Sequence, residues 1–435
     1  MIARSRTFVV QKDPPRHSST VRYHQRPVDF NSQFTTAGDQ RVTWERPENE
    51  LLVSLARVSL TGAKSERVRE LLSNNLDWDY LIATADHHNV LPLVYRQLVA
   101  QATSVSADAL SQLKNLNQEN TRQSLLLTGE LCKVLDLLAA HDVPAIPFKG
   151  PTLGVLAYGD VGLRQFSDLD ILVRKQDVLN VKDLLLAEGF KPTQRLTNSQ
   201  EAALLRFDCA YNFTSKKNAV FDVHWDFAAP HFSFPVDVSR SWSCLQTVTI
   251  GGKQFSTLRA EDLLLVLCFH GFTHSWERLG WVCDVAGLID RRRDFDWPLV
   301  LDKATRHGCR RILWLGIVLA SELLEASVPT DVLQTAQSDP MVNRIIENVQ
   351  ERLFAPEPVS SGMLNEALVQ LRMRERGRDK LMSGFRLATA PRSYDWMFLT
   401  LPRWLFFLYY PLRPLRLAGK YGARLLGSSN LVDSG

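Results

Sequence analysis

The run from Asp168 to Val173, Asp-Leu-Asp-Ile-Leu-Val, constrains the fold of this chain more than any other segment. Alternate residues of a strand face the same side, so Asp168 and Asp170 share one face. Leu169, Ile171 and Val173 then face a core. Two carboxylates side by side repel each other, and a hard divalent cation with oxygen ligands is the usual compensation. The run therefore predicts a buried strand whose two acids bind metal.

The segment before this strand has the features of a phosphate-binding corner. An apolar strand from Ala145 to Phe148 ends in Lys149-Gly150, and a helical pattern follows from Thr152 to Tyr158. Glycine lets a phosphate approach the backbone, and the free N–H groups of the following helix can face that anion. Metal-assisted phosphoryl or nucleotidyl transfer uses a carboxylate pair beside such a corner. Because Asp-x-Asp alone is also common in solvated turns, the prediction depends on the combination.

The stretch from Ala219 to Phe227 supplies a candidate third carboxylate. Asp222, His224 and Asp226 alternate with apolar residues and share one face of a predicted strand. A third acid on a neighbouring strand would complete the shell of one metal ion and accept the proton of an attacking hydroxyl. We favour Asp222 because it lies mid-strand, whereas Asp226, the alternative, lies nearer the end. For His224, a hydrogen-bonded structural role and contact with substrate are equally open.

The pair His270 and His274 is spaced by one helical turn in a predicted helix, so the two rings share a face. Histidines at this spacing bind metal in H-E-x-x-H motifs, but here Gly271 follows His270 where that motif has glutamate. A structural or substrate-lining role is therefore favoured for both rings.

Together these motifs resemble the nucleotidyltransferase superfamily with the polymerase-beta-like fold. A closer resemblance is to the bacterial family of uncharacterised nucleotidyltransferases, over about residues 75 to 330. It is carried by Lys149-Gly150, Arg164, the run 168–173, Asp222 with His224-Trp225, and the segment 270–276 with Arg278, Trp281 and Asp284. The chain departs from the broad superfamily in having Gly150-Pro151 where Gly-Gly or Gly-Ser is usual.

The resemblance implies a fold and a site. The fold is α+β, with a small mixed-sheet nucleotidyltransferase core flanked by N-terminal and C-terminal helical regions. The site is expected to hold two Mg²⁺ ions and a nucleoside triphosphate as substrate. Its members are Asp168, Asp170 and Asp222 for catalysis and metal binding, Lys149, Gly150, Arg164 and Ser167 for the nucleotide, and His224, His270 and His274 as substrate-lining residues.

Length and composition bound the architecture and the compartment. The chain has 435 residues, 45% hydrophobic and 23% charged, which are globular values that allow two or three domains. The formal net charge of +4 gives no strong nucleic-acid signal. Six cysteines without a C-x-x-C pair indicate buried thiols in a reducing compartment. With no cleavable signal and no apolar run of about eighteen residues, we expect a cytoplasmic protein.

Changes in composition divide the chain into five predicted segments. They are 1–45 (disordered), 46–142 (helical), 143–256 (the nucleotidyltransferase α/β core), 257–385 (a helical domain) and 386–435 (an aromatic and basic C-terminal segment). Within the last, residues 395–417 combine Trp, Tyr and Phe with Arg and Pro. Such a mixture suits contact with a membrane surface, which would make the protein membrane-peripheral. The alternative is that it closes the core of the enzyme.

The function expected from these features is metal-dependent transfer of a nucleoside monophosphate from an NTP, such as ATP, to an unidentified acceptor. The acceptor would be a small molecule or a protein, and pyrophosphate would be released. Two alternatives remain open. One is a catalytically inactive module that binds nucleotide or a partner, and the other is a membrane-surface scaffold built on the C-terminal segment.

Overall fold

The structure is a computed structural model, and it describes residues 44, 46–60, 62–101, 104–232, 238–292, 294–355 and 363–427. Of residues 363–366 and 420–427 it describes the backbone alone. The predicted disordered segment 1–45 lies outside the described residues, except for Trp44.

Five helices form the first part of the described chain. Side-chain caps explain two of their starts: Asp77 accepts a hydrogen bond from the backbone N–H of Tyr80, and Ser106 accepts one from Ala109. Their apolar residues recur at helical spacing, and most of those of α1 to α4 are buried in a first hydrophobic core. The helices are α1 (Pro47–Leu55), α2 (Gly62–Leu72), α3 (Trp78–His87), α4 (Leu91–Val99) and α5 (Ala107–Ala140).

A mixed sheet of five strands follows, interleaved with short helices. The strands lie in the order β1-β2-β5-β4-β3, in which β2 and β5 are parallel and the other pairs antiparallel. The α+β prediction with a small mixed sheet is therefore confirmed. The elements are β1 (Ala145–Pro147), α6 (Gly150–Leu153) continued by a π-helical turn (Gly154–Tyr158), β2 (Asp168–Val173), α7 (Val178–Ala187), β3 (Lys191–Pro192), α8 (Asn198–Phe207), β4 (Ala210–Thr214) and β5 (Val220–His224).

The two faces of β2 pack into different cores. Leu169, Ile171 and Val173 are fully buried in a second hydrophobic core, which includes apolar side chains of α5, α7 and α8. Leu172, on the opposite face, belongs to the first core instead. The face of β2 that carries the acids is therefore the one directed towards the first, largely helical core.

A β-hairpin and a second group of helices complete the first core. This hairpin was not predicted from the sequence, and its second strand crosses the boundary expected at residue 256. The hydroxyl of Thr257 donates to the carbonyl of Pro147 at 2.6 Å and so joins the hairpin to β1. No helix in the described ranges is long and apolar enough to span a bilayer. The elements are α9 (Val238–Ser241), β6 (Leu245–Ile250), β7 (Lys253–Leu258), α10 (Ala260–Thr273), α11 (Leu279–Asp290), α12 (Trp297–Arg306), α13 (Arg310–Leu324), α14 (Thr330–Gln337) and α15 (Pro340–Leu353).

Aromatic residues from the C-terminal helices close the second core. Trp396, Phe406 and Tyr409 are at most 3% exposed, and the last two rings contact Phe207 of α8. This is the core-closing role that the sequence left open for residues 395–417. The helices are α16 (Met363–Arg372), α17 (Gly377–Thr389), α18 (Ser393–Phe398) and α19 (Tyr409–Gly427), with a 3₁₀ turn (Arg403–Leu408) before the last.

Candidate active site

Acidic side chains meet across the two parallel strands of the sheet. In the β2–β5 register Asp170 lies opposite Asp222, and Asp168 lies opposite Val220. Because alternate residues of a strand share a face, Asp168 and Asp170 point to the same side of β2, and Asp222 and His224 point to the same side of β5. One ligand atom each from Asp170, Asp222 and His224 lie within 4.8 Å of one another. Asp168 lies on the same strand but is not a member of this compact group.

Asp170 is the buried centre of the group. Its Oδ1 accepts a hydrogen bond from Lys149 Nζ at 3.1 Å and lies 3.1 Å from His224 Nε2. Burial opposes ionisation, but the lysine ammonium and the histidine contact outweigh it and hold the pKa of Asp170 well below its usual range. Asp170 is therefore a carboxylate at neutral pH and can bind a cation.

Asp168 and Asp222 ionise less readily. Burial raises the pKa of both carboxyl groups, and the negative charge of Asp170 raises it further. Asn212 of β4 lies opposite Asp222 in the antiparallel register and donates its side-chain N–H to that carboxylate, which partly offsets the rise. Asn212 was not among the site residues predicted from the sequence. The available signal was a polar residue at an alternating position of a strand that pairs with the third-acid strand.

His224 is held against the acids by a ring contact as well as by its Nε2. Phe148 packs edge-on against the imidazole, with ring centroids 5.4 Å apart. The Nδ1 atom of His224 is buried and has no hydrogen-bond partner among the described residues. Its hydrogen-bonded place beside Asp170 explains the orientation of the ring, while a contact with substrate stays a prediction.

Lys149 and Gly150 form the corner between β1 and α6. Gly150 has a φ of +52°, and a Cβ at this position would lie 3.3 Å from the carbonyl oxygen of Asp168. Glycine adopts this left-handed conformation without the strain that a side chain would add. The corner therefore brings the backbone against the start of β2, where Ser167 is exposed. Lys149, 13% exposed in its side chain, reaches Asp170 from the same corner.

Arg164 forms a bidentate ion pair with Asp284 of α11. Its Nε and Nη2 atoms donate to the two carboxyl oxygens, each at 2.9 Å, and the pair is largely buried. Tyr158 adds a hydrogen bond to Asp284 at 2.8 Å. The guanidinium charge also lowers the pKa of Asp168, so Arg164 acts electrostatically on the acid site. Its donor fork, however, faces Asp284 rather than the acids, and a phosphate contact stays a prediction.

His270 and His274 pack with Trp281 as a cluster of three rings. The centroids lie 4.6 Å apart for the two histidines, and 5.5 Å and 5.2 Å from the Trp281 ring. Burial lowers the pKa of both histidines, and the charge of Lys149 lowers it further, which indicates that the cluster lies near the Lys-Gly corner. In the described part of the chain, neither histidine belongs to a group of three ligand atoms.

Asp226 lies in the bend after β5 rather than opposite Asp170. Its Oδ1 accepts a hydrogen bond from the backbone N–H of Phe227 at 2.7 Å. A short acidic side chain placed in this way stabilises a bend by bonding to the local backbone. The two candidates for the third carboxylate therefore occupy different environments, and Asp222 is the one beside Asp170.

Comparison with known protein families gives this geometry a context. The model of the family described as uncharacterised nucleotidyltransferase matches residues 74–325, more than half of the chain. The chain belongs to this family. It is thus a nucleotidyltransferase, as the resemblance of its motifs predicts, and the matched region contains every predicted site residue. In this nucleotidyltransferase, helices α14 to α19 lie beyond the matched region. No curated protein matches the chain.

Several solved structures are similar over about half of this chain. The solution structure of the antibiotic-resistance factor ANT(2″)-Ia is 12% identical, with coverage of 49% of this chain and 93% of that chain and a TM-score of 0.25. The crystal structure of ANT(2″)-Ia with adenylyl-2″-tobramycin is 12% identical, with coverage of 46% and 98% and a TM-score of 0.25. An antigenic nucleotidyltransferase-like protein from Paracoccidioides brasiliensis is 12% identical, with coverage of 52% and 92% and a TM-score of 0.23.

Proposed function

We propose that this nucleotidyltransferase uses a divalent cation to transfer a nucleoside monophosphate from an NTP to an acceptor hydroxyl. The observation that carries the proposal is the compact group of Asp170, Asp222 and His224 on adjacent strands, beside the Lys-Gly corner. In the reaction the hydroxyl oxygen bonds to the α-phosphorus. The bond from that phosphorus to its bridging oxygen breaks, and pyrophosphate leaves with the electron pair. The hydroxyl proton passes to a base of the protein.

The donor set and the charge of the group fit a divalent cation. Asp170 and Asp222 offer carboxylate oxygens, the ligands that Mg²⁺ prefers, and His224 offers an imidazole nitrogen. Burial and the charge of Asp170 raise the pKa values of Asp168 and Asp222, and Lys149 offsets this only in part, so a bound cation would favour ionisation of both acids. A bound cation would supply Lewis-acid stabilisation of phosphate charge. The second of the two expected Mg²⁺ ions would depend on Asp168.

Asp222 is the better candidate for the base among the paired acids. A carboxylate with a raised pKa holds a proton more tightly than one with a lowered pKa, and Asp222 and Asp170 differ in that direction. Asn212 donates to Asp222 and would orient it as a positioning residue. Asp170, which stays ionised, is then the cation ligand that does not take part in proton transfer.

The Lys-Gly corner would receive the triphosphate. Lys149 supplies positive charge, Gly150 allows close approach to the backbone, and Ser167 offers an exposed hydroxyl at the start of β2. Arg164 would support phosphate binding through its charge while its donor fork holds Asp284. It is therefore a positioning residue in this proposal.

The cluster of His270, His274 and Trp281 would line the pocket for the nucleobase of the NTP or for the acceptor. His270, His274 and Trp281 pack in tilted and edge-on arrangements, and such a cluster can contact a further ring or a sugar face. Because their pKa values are lowered, both imidazoles are neutral at pH 7 and add no charge next to Lys149. A neutral aromatic surface selects for shape and stacking rather than for charge.

Labelled nucleotides test the reaction directly. The purified enzyme is incubated with MgCl₂, a cell lysate and each NTP labelled at the α-phosphate, and transfer should give a labelled product other than the free nucleotide. The same NTP labelled at the γ-phosphate should leave the acceptor unlabelled and give labelled pyrophosphate. Label from the γ-position on the acceptor would indicate phosphoryl transfer and contradict the proposal.

Two isosteric variants test the site. Asp170→Asn keeps the shape but loses the cation ligand, so turnover should fall at least about 100-fold, which is roughly 3 kcal/mol of activation free energy. Asp226→Asn is the matched control, since it changes an acid in the bend outside the ligand group and should keep most of the activity. Equal activity in the Asp170→Asn enzyme would favour a binding module that does not use this acid for catalysis.

A further inference from the structure

The last helices expose an unusual number of large apolar side chains. Among the described residues nineteen such side chains are exposed, and twelve of them lie between Leu381 and Leu415. All six aromatic members of that set lie there, and their exposed fractions range from 39% to 84%. They are Phe385, Tyr394, Phe398, Trp404, Phe407 and Tyr410, which with Leu381 and Leu415 we call the C-terminal apolar surface. Exposed apolar residues concentrated in this way usually mark an interaction site.

One charged pair of the same helices is buried. Arg413 of α19 is 3% exposed and donates to Asp395 of α18, 6% exposed, at 2.8 Å. Arg416 donates to the other oxygen of Asp395 at 2.7 Å. At a surface that faces water, charged side chains are usually exposed and aromatic side chains buried. Here the Arg413–Asp395 ion pair is buried and the aromatic rings are exposed. The arrangement suits a surface that meets a less polar medium.

Neighbouring aromatic residues of this segment differ sharply in exposure. Phe406 and Tyr409 are 3% and 2% exposed, while their neighbours Phe407 and Tyr410 are 58% and 39% exposed. The segment therefore uses one set of aromatics to close the protein and directs another set outwards. Core closure and surface contact, which the sequence presented as alternatives, are therefore compatible, and Tyr410, whose ring also packs edge-on against Phe207, takes part in both.

The excess of basic over acidic residues in this segment favours binding to an anionic lipid surface over binding to a protein partner. Residues 377–417 contain seven Arg and Lys residues but two Asp residues, of which Asp395 is already paired with two arginines. Arginine with Trp, Tyr and Phe is the composition that prefers the headgroup region of a bilayer. No helix in the described chain could span the bilayer, so the contact would be peripheral.

We propose that the C-terminal apolar surface binds the face of a membrane that contains anionic lipids. The inner aromatics fix α18 and α19 to the enzyme, and the outer aromatics insert at the level of the headgroups. The exposed Arg378, Lys380 and Arg403, which lie outside the Asp395 network, add attraction to the anionic lipids. This inference does not depend on the proposed reaction, because none of these residues belongs to the acid site.

Vesicle flotation of the full-length protein tests the proposal. Vesicles of phosphatidylcholine with phosphatidylglycerol should carry the protein upwards, and vesicles of phosphatidylcholine alone should carry much less. The double variant Phe398→Ser/Trp404→Ser removes rings that are 84% and 74% exposed, so it should keep its melting temperature. Its partition onto the anionic vesicles should fall by about tenfold or more.

A matched control uses exposed apolar residues elsewhere. Leu125 and Leu126 of α5 are 58% and 44% exposed, and Leu125→Ser/Leu126→Ser should leave flotation unchanged. Equal flotation of the Phe398→Ser/Trp404→Ser protein, or no flotation of the wild type, would overturn the proposal. It would also be overturned if sedimentation velocity, without lipid, showed a wild-type oligomer that this double variant converts to a monomer, because the surface would then bind a second copy.

Discussion

Asp222 is proposed to act in catalysis, and in the absence of metal its negative charge lowers the stability of the fold. Its pKa is raised by burial and by the charge of Asp170, so the folded state holds this proton more tightly than the unfolded chain does. The contribution to stability is present below the unfolded-state pKa of about 3.9 and is lost as pH rises through the folded-state value. At neutral pH the ionised group therefore destabilises the metal-free fold.

The first prediction concerns Asp222→Asn without metal. Asparagine can still accept from Asn212 and carries no charge, so at pH 7 the melting temperature should rise by roughly 1–3 °C. The gain should shrink as pH falls towards about 4, because the wild-type acid then becomes protonated. Differential scanning calorimetry in the presence of a metal chelator, from pH 7 to about pH 4, measures this difference in melting temperature. A variant that is less stable at pH 7 would contradict the assigned repulsion.

Added Mg²⁺ should reverse the order of the two proteins. A ligand that binds only the folded state stabilises it by mass action, so MgCl₂ should raise the wild-type melting temperature. The rise should be much smaller in Asp222→Asn, because one ligand of the compact group is lost. Asp226→Asn is the control and should respond like the wild type. If Asp226→Asn loses the response and Asp222→Asn keeps it, the third acid is Asp226.

At the scale of elements, the ion pair between Arg164 and Asp284 fixes the position of the loop before β2 against α11. The pair joins this loop to α11, and Tyr158 completes the partners of the aspartate. Arg164→Ala should lower the free energy of unfolding by about 3 kcal/mol or more, because it leaves Asp284 buried without its cation. Denaturant unfolding measures the loss, and the exposed Arg195→Ala is a matched control. An unchanged stability with a raised KM for NTP would instead assign Arg164 to direct phosphate binding.

Gly150 tests the corner between β1 and α6. Alanine at a φ of +52° is strained, and its Cβ would meet the Asp168 carbonyl at 3.3 Å. We expect Gly150→Ala to lower stability by about 1–2 kcal/mol. Activity should fall further than stability explains, since the added methyl would push the corner away from the start of β2 and displace its backbone N–H groups. Gly384→Ala is a control with an ordinary 3.6 Å contact in α17. An active, stable Gly150→Ala enzyme would contradict the proposal that the triphosphate binds against the backbone of the Lys-Gly corner.

Local patterns predict the acid strand well and the contacts between distant segments poorly. Residues 168–173 form β2 as predicted, because the alternation there is regular and both faces are buried. Nothing local predicts the parallel pairing that brings Asp170 opposite Asp222, or the Arg164–Asp284 pair across 120 positions. The β6–β7 hairpin had a local signal in Gly251-Gly252, a common two-residue turn. Its strands are mostly polar, which masked that signal.

For the whole molecule, the C-terminal helices belong to the fold although they lie beyond the region matched by the family. Their inner aromatics, Trp396, Phe406 and Tyr409, are part of the second core that lies under the acid sheet. Burying each large apolar side chain stabilises a protein by about 1.5–3 kcal/mol. Three of them together approach the total free energy of unfolding of a typical domain, about 5–15 kcal/mol. The catalytic sheet is therefore expected to depend on residues that the reaction does not use.

The last prediction follows from this dependence. A chain ending at Arg376 lacks the three inner rings and uncovers Phe207 of α8, so it should aggregate or lose its cooperative thermal transition. The full-length Phe398→Ser/Trp404→Ser protein loses only exposed rings and should unfold like the wild type. Circular dichroism melts and limited proteolysis compare the two. If the truncated chain melts cooperatively at the wild-type temperature and turns over NTP, the second core closes without α18 and α19. The helices would then be an appendage of the enzyme.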